Sequence, residues 1–187
     1  MTKVRQMTVL ALLAAISFLL MFALEFPLPF FPPYLKYDPS QICGLLAAFS
    51  FGPAAGFAVE LVKSILFFLS GKSADGIVGA AAALVAGASF VVVAGKVYHS
   101  QGKNSPVVGL IAGTITMTVV MVTANYFVFL PLWGLPTSQI KLPLIVAMLG
   151  FNLTKGILTS LLALVLLKAL GSKGILSGIA RRSWNSQ

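Results

Sequence analysis

The chain has 187 residues, of which 58% are apolar and only 9% charged, against roughly a quarter charged in a soluble globular domain. This excludes a soluble fold, and apolar stretches fill so much of the length that residues 1–187 read as one membrane domain with no separate soluble part. The net charge of +9 would point a soluble protein toward nucleic acid, but here the basic residues flank apolar stretches as membrane-protein loops do, so no nucleic-acid partner is expected.

The first apolar stretch, Met7–Leu24, has no A-x-A-like cleavage site and is longer than a signal-peptide core, so it reads as a transmembrane helix. Ala11 and Ala15 stand one turn apart on it, a small-x-x-x-small pattern that lets another helix approach closely. That pattern serves either packing within the chain or docking of another membrane subunit.

A polar break follows, Glu25-Phe-Pro-Leu-Pro-Phe-Phe-Pro-Pro-Tyr-Leu-Lys-Tyr-Asp38, with two of the four acidic residues. Its prolines forbid a helix. A segment this stiff between two spans suits a lid over a ligand.

The next stretch, Gln41–Phe51, is too short to cross a bilayer alone, since crossing takes roughly 20 residues. Gly52-Pro53 makes a tight turn into Ala54–Leu69. Within that span Glu60 and Lys63 are three residues apart and share a face. They form a self-neutralising pair, or else contact a ligand or partner helix. Gly71-Lys72-Ser73 resembles the end of a P-loop, but Leu66 stands where the first glycine belongs, so no nucleotide site is expected.

Three further spans are Ile77–Gly95, Val107–Leu130 and Leu144–Leu170. Asn125 lies about a turn and a half before Pro131, and its amide offers two donors and an acceptor. It serves either an interhelical bond or the edge of a heteroaromatic ring. Lys155 sits mid-span with no acid near it in sequence, and Asn152 lies one turn earlier on the same side. An ammonium so far from both ends calls for a polar ligand or a buried acid such as Glu60. The sequon Asn152-Leu-Thr154 is spurious within a membrane.

Six spans with the N-terminus inside place Lys3, Arg5, Lys96, Lys103, Lys168, Lys173, Arg181 and Arg182 on the inner side. Lys36, Lys72 and Lys141 fall outside. The bias favours both termini in the cytoplasm and makes the Glu25–Asp38 segment external. The loop Pro131–Pro143 is then also external, with Trp133 at interface depth. The expected fold is therefore an all-α integral membrane protein of six transmembrane helices with a Pro-rich external loop between the first two. Cys43 and His99 are single, so neither a disulfide nor a zinc or iron centre is expected. Paired carboxylates and a Ser/His/Asp set are also missing, so the chain does not read as an enzyme. No inverted repeat of the kind found in self-sufficient transporters is visible.

Four segments together carry a resemblance: Phe26-Pro-Leu-Pro-Phe-Phe-Pro-Pro-Tyr-Leu-Lys-Tyr-Asp38, Phe51-Gly-Pro-Ala-Ala-Gly56, Asn125-Tyr-Phe-Val-Phe-Leu-Pro-Leu-Trp-Gly134 and Phe151-Asn-Leu-Thr-Lys-Gly156. From about Leu10 to Leu170 the chain resembles the riboflavin-specific substrate-binding (S) component of energy-coupling factor transporters. The resemblance implies six helices, capture of riboflavin from outside in a cavity capped by the first loop, and a bacterial cytoplasmic membrane. It implies as partners a transmembrane T subunit, docking on Ala11 and Ala15, and two ABC ATPases. Riboflavin would be cargo, and no cofactor is implied. Asn125 and Lys155 would hydrogen-bond the vitamin, with Leu35, Lys36, Tyr37 and Asp38 lining or closing the site. The ribityl hydroxyls would find Asp38 or Asn152. Lys36 departs from the family's small hydroxyl residue at that position. An S component for thiamin, biotin or a queuosine precursor, and a stand-alone small carrier, remain as alternatives.

Overall fold

The computed structural model describes residues 3–73, 76–100 and 106–172. Lys103, Lys173, Arg181 and Arg182, used above to orient the chain, lie outside the described residues.

Six main helices follow one another among the described residues: α1 Lys3–Leu24, α2 Gln41–Phe51, α3 Pro53–Leu69, α4 Gly76–Ser100, α5 Pro106–Leu132 and α6 Leu142–Ser172. Four of them, α1, α4, α5 and α6, are long and apolar enough to cross a membrane. At 11 residues α2 is about 16 Å long, short of a hydrocarbon core of roughly 30 Å. Its place in the bundle explains the shortness. It packs against α1, α3, α4 and α6, and eight of its residues are buried. A helix surrounded by others is apolar on every side. Around it, α1 meets α3, α3 meets α4, α4 meets α5 and α5 meets α6.

Gly52 links α2 to α3. Its φ of 100° is closed to residues with a Cβ, its N–H donates to Ala48 O at 2.9 Å, and Pro53 opens α3 with the fixed φ a first helical turn wants. His99, at the end of α4, donates from Nε2 to the same carbonyl at 2.9 Å.

The outer faces are apolar. Leu12, Ile16 and Leu19 of α1, Ile115 and Val119 of α5, and Leu161 and Val165 of α6 are all exposed. The interior instead holds Glu60, Lys63, Asn125, Asn152 and Lys155, each at least 93% buried. Lipid outside and polar groups inside is the distribution that a bilayer imposes.

The loop after α1 contains a two-residue antiparallel ladder, pairing β1, Phe26–Pro27, with β2, Lys36–Tyr37. An all-α reading missed it because Pro27 has no N–H to give a ladder; at an edge that loss is tolerated. The ladder closes the loop into a flap. Leu28, Phe31 and Leu35 pack beneath it on Leu130, Met148 and Phe151, while Phe30 at the tip is fully exposed with a φ of 72°.

Two glycines fix the fit of α2, α3 and α4. A Cβ on Gly44 of α2 or Gly87 of α4 would collide with the Glu60 carboxylate. Gly87→Ala is expected to lower thermal stability by about 1–3 kcal/mol, the usual range for overpacking. A melting temperature of the purified variant equal to that of the parent would refute this.

Candidate functional site

Beneath the flap lies a cavity of about 100 Å³, reached by α1, the loop and α3 to α6. Each wall has its own chemistry. From α4 come Gly79, Ala82, Ala83 and Ala86, spaced so that all four share one helical face. Small side chains there leave a flat wall. Met121, Trp133 and Phe151 supply bulkier apolar lining. Asn125, Asn152, Lys155 and Asp38 supply the polar groups.

Asn125 opens a break in the regular winding of α5. Residues Asn125–Phe129 form a π-helical turn, in which Leu130 N–H bonds Asn125 O. The extra residue in that turn rotates everything beyond it, and such bulges often stand at functional sites. The Asn125 side chain is 3% exposed and lines the cavity. Asn152 spends one amide proton on Met148 O at 2.8 Å, which fixes its orientation and leaves its carbonyl oxygen free to accept.

Lys155 Nζ donates to Asp38 Oδ2 at 3.1 Å, across 117 residues of sequence. The other carboxylate oxygen of Asp38 accepts from the Ser40 hydroxyl and from Ser40 N–H, the latter at 3.1 Å. Burial would push this carboxyl up, but the ammonium groups of Lys155 and Lys63 and the Ser40 hydroxyl outweigh it and hold Asp38 well below the usual carboxylate range. Glu60 pairs with Lys63, not with Lys155.

Of the residues expected in the site, Leu35, Lys36, Asp38, Asn125, Asn152 and Lys155 line this cavity. Tyr37 does not; it is buried within the flap's own ladder, edge-on to its cross-strand partner Phe26 at 5.7 Å between ring centroids. Lys36 stands at the mouth and pairs with Glu25 at 3.4 Å, part-exposed. Ala11 and Ala15 are exposed on α1, whereas Ala14, Ser17 and Met21 face the bundle.

Several lining residues were not anticipated. Trp133, expected at interface depth, turns to the cavity against Phe129 and Tyr34, and its indole N–H is buried without a partner among the described residues. The small face of α4 was legible as Gly79-x-x-Ala-Ala-x-x-Ala86 but reads equally as ordinary helix packing. Among the described residues no group of three His, Cys, Asp or Glu stands together to hold a metal ion.

Residues 5–170 match the family described as ECF transporter, substrate-specific component. The chain belongs to that family. It is 38% identical over 179 residues to the riboflavin transporter RibU of Staphylococcus aureus (strain TCH60), covering 92% of this chain and 93% of that protein. It is 34% identical to the riboflavin transporter FmnP of Bacillus subtilis (strain 168), covering 89% and 92%. A solved structure of the S component of a bacterial ECF transporter superposes with a TM-score of 0.82 at 39% identity, covering 91% of this chain and 98% of that one. The fold is therefore that of an ECF transporter S component.

Proposed function

We propose that this S component binds riboflavin from outside the cell and hands it inward as part of an ECF importer. The observation that carries the reading is the meeting of Asn125, Asn152 and Lys155, from two helices, on one cavity with the flat wall of α4. Isoalloxazine is planar and apolar on its faces, with alternating donors and acceptors along one edge. A small-residue wall accommodates the face, while an amide, a carbonyl oxygen and an ammonium match the edge. Relatives named as riboflavin transporters support the same ligand.

At about 100 Å³ the cavity is smaller than the roughly 300 Å³ at which small-molecule pockets begin. The flap is the element that yields. Its tip, Pro29–Phe30, is exposed, and the segment behind the tip rests on apolar contacts around Phe31 and Leu35, while the ion pair of Asp38 with Lys155 anchors its foot. It opens to admit the vitamin and closes behind it.

In this reading residues 1–187 form one domain of a bacterial cytoplasmic membrane with both termini inside, and the short α2 completes the six spans together with the loop that precedes it. It works with a T subunit and two ABC ATPases. Riboflavin is cargo, and the chain itself neither catalyses a reaction nor holds a cofactor.

Titration of the purified protein in detergent tests the ligand. Riboflavin fluorescence is expected to be quenched to a one-to-one endpoint, and thiamin and biotin are expected not to compete. Absence of quenching, or displacement by either competitor, would overturn the assignment.

A further inference from the structure

Glu60 and Lys63 are ionisable, fully buried and absent from the cavity wall. Their arrangement nevertheless leads to it. Lys63 Nζ pairs with Glu60 Oε2 and also donates to the Ser40 hydroxyl at 3.1 Å. That hydroxyl donates to Asp38 Oδ1, and Asp38 Oδ2 accepts from Lys155. One continuous polar chain therefore runs from the middle of α3, through the foot of the flap, to the cavity lysine on α6. Ser40 is further tied to α1, where the Ser17 hydroxyl donates to Ser40 O at 2.9 Å.

We propose that Lys63, held by Glu60, is a positioning residue for ligand recognition: from outside the cavity it fixes the carboxylate of Asp38 and, through it, the ammonium of Lys155. The inference rests on the cavity being the riboflavin site.

Three observations carry it. The network contains two acids and two lysines, so it is neutral as a whole and no member is left as an uncompensated charge. Buried pairs of this kind add little stability over apolar residues of equal volume, so stability alone does not account for placing Glu60 and Lys63 there. Helices α2 and α4 also give up side chains at Gly44 and Gly87 to make room for the Glu60 carboxylate. Finally, the Asp38 carboxylate is faced by Lys155 from α6, by Lys63 from α3 and by the Ser40 hydroxyl from its own loop. With Lys63 removed, one cation fewer opposes the effect of burial. Asp38 then takes up a proton at higher pH, and a neutral carboxyl no longer orients Lys155.

Riboflavin titration of the full chain across about pH 8 to about pH 4.5 separates positioning from mere packing. The parent protein is expected to bind with an affinity that is flat across this range, because its Asp38 stays ionised. Glu60→Gln/Lys63→Met removes both charges together and keeps the network neutral. It is expected to bind at least about tenfold more weakly at pH 7, and to weaken further as the pH falls. Glu60→Gln/Lys63→Gln removes the same two charges but keeps hydrogen-bonding side chains of similar size, so it decides the matter should the methionine variant fail to fold. It is expected to show the same acid-side loss. Either folded double variant binding within about twofold of the parent with a flat profile would overturn the inference. A parent protein that binds no riboflavin would instead overturn the reading beneath it.

Discussion

Lys155→Ala is expected to weaken riboflavin binding at least about tenfold, near 1.4 kcal/mol, and to lower the stability of the ligand-free protein as well. The two effects have different origins. Lys155 lines the cavity, where in the proposed reading its ammonium faces a ligand acceptor. It also neutralises Asp38, which is only 4% exposed. Removing one partner of a buried pair typically costs about 3–5 kcal/mol. The low end of that range applies here, because Lys63 and the Ser40 hydroxyl still face the carboxylate. Asp38→Asn/Lys155→Met separates the terms. It leaves Glu60 and Lys63 paired and removes the other two charges together, so the melting temperature is expected to return close to that of the parent. The lost affinity is expected to stay lost, because the ammonium is gone. Recovery of binding in the double variant, measured by fluorescence titration, would show that Lys155 acts only on stability and does not touch the ligand.

What was legible in the sequence followed from local rules. Glu60 and Lys63 pair because three residues on a helix bring them to one face, and Gly52-Pro53 turns because only glycine takes its φ. The isolated Lys155 announced a missing partner, since a buried ammonium is expensive alone. It did not announce which one. Asp38 stands 117 residues away, and no local periodicity links a flap to the sixth helix. Glu60, the acid that lies within a span, is already engaged by Lys63. The π-helical turn at Asn125 was equally hidden: a run such as Asn-Tyr-Phe-Val-Phe fits an ordinary helix, and the buried places that Phe129 and Leu130 take in two different clusters come from tertiary packing. Trp133 was read by composition as an interfacial aromatic, whereas that turn, continued through Leu132, carries it round to the cavity.

Ala15→Trp, and Ala11→Trp beside it, are expected to abolish uptake while leaving riboflavin binding within about twofold of the parent. Helix α1 buries Ala14, Ser17 and Met21 against the bundle, and a separation of roughly 100° per residue places Ala11 and Ala15 about a quarter-turn away from that stripe. Both are exposed, so an indole there meets no atom of this chain's own core and the cavity beneath the flap is undisturbed. Bulk matters only if another helix must come close. In a bilayer apolar surfaces gain little by meeting each other, and association depends on close backbone approach across small residues. A tryptophan in that stripe holds a partner helix several ångströms away and removes the contact. The measurement is uptake of labelled riboflavin by cells expressing the chain with its T subunit and ATPases, alongside titration of the purified variants. Normal uptake by both variants would move the docking surface to another face of the bundle. Loss of binding together with uptake would show that this side of α1 supports the cavity, through Ser17 and its bond to Ser40.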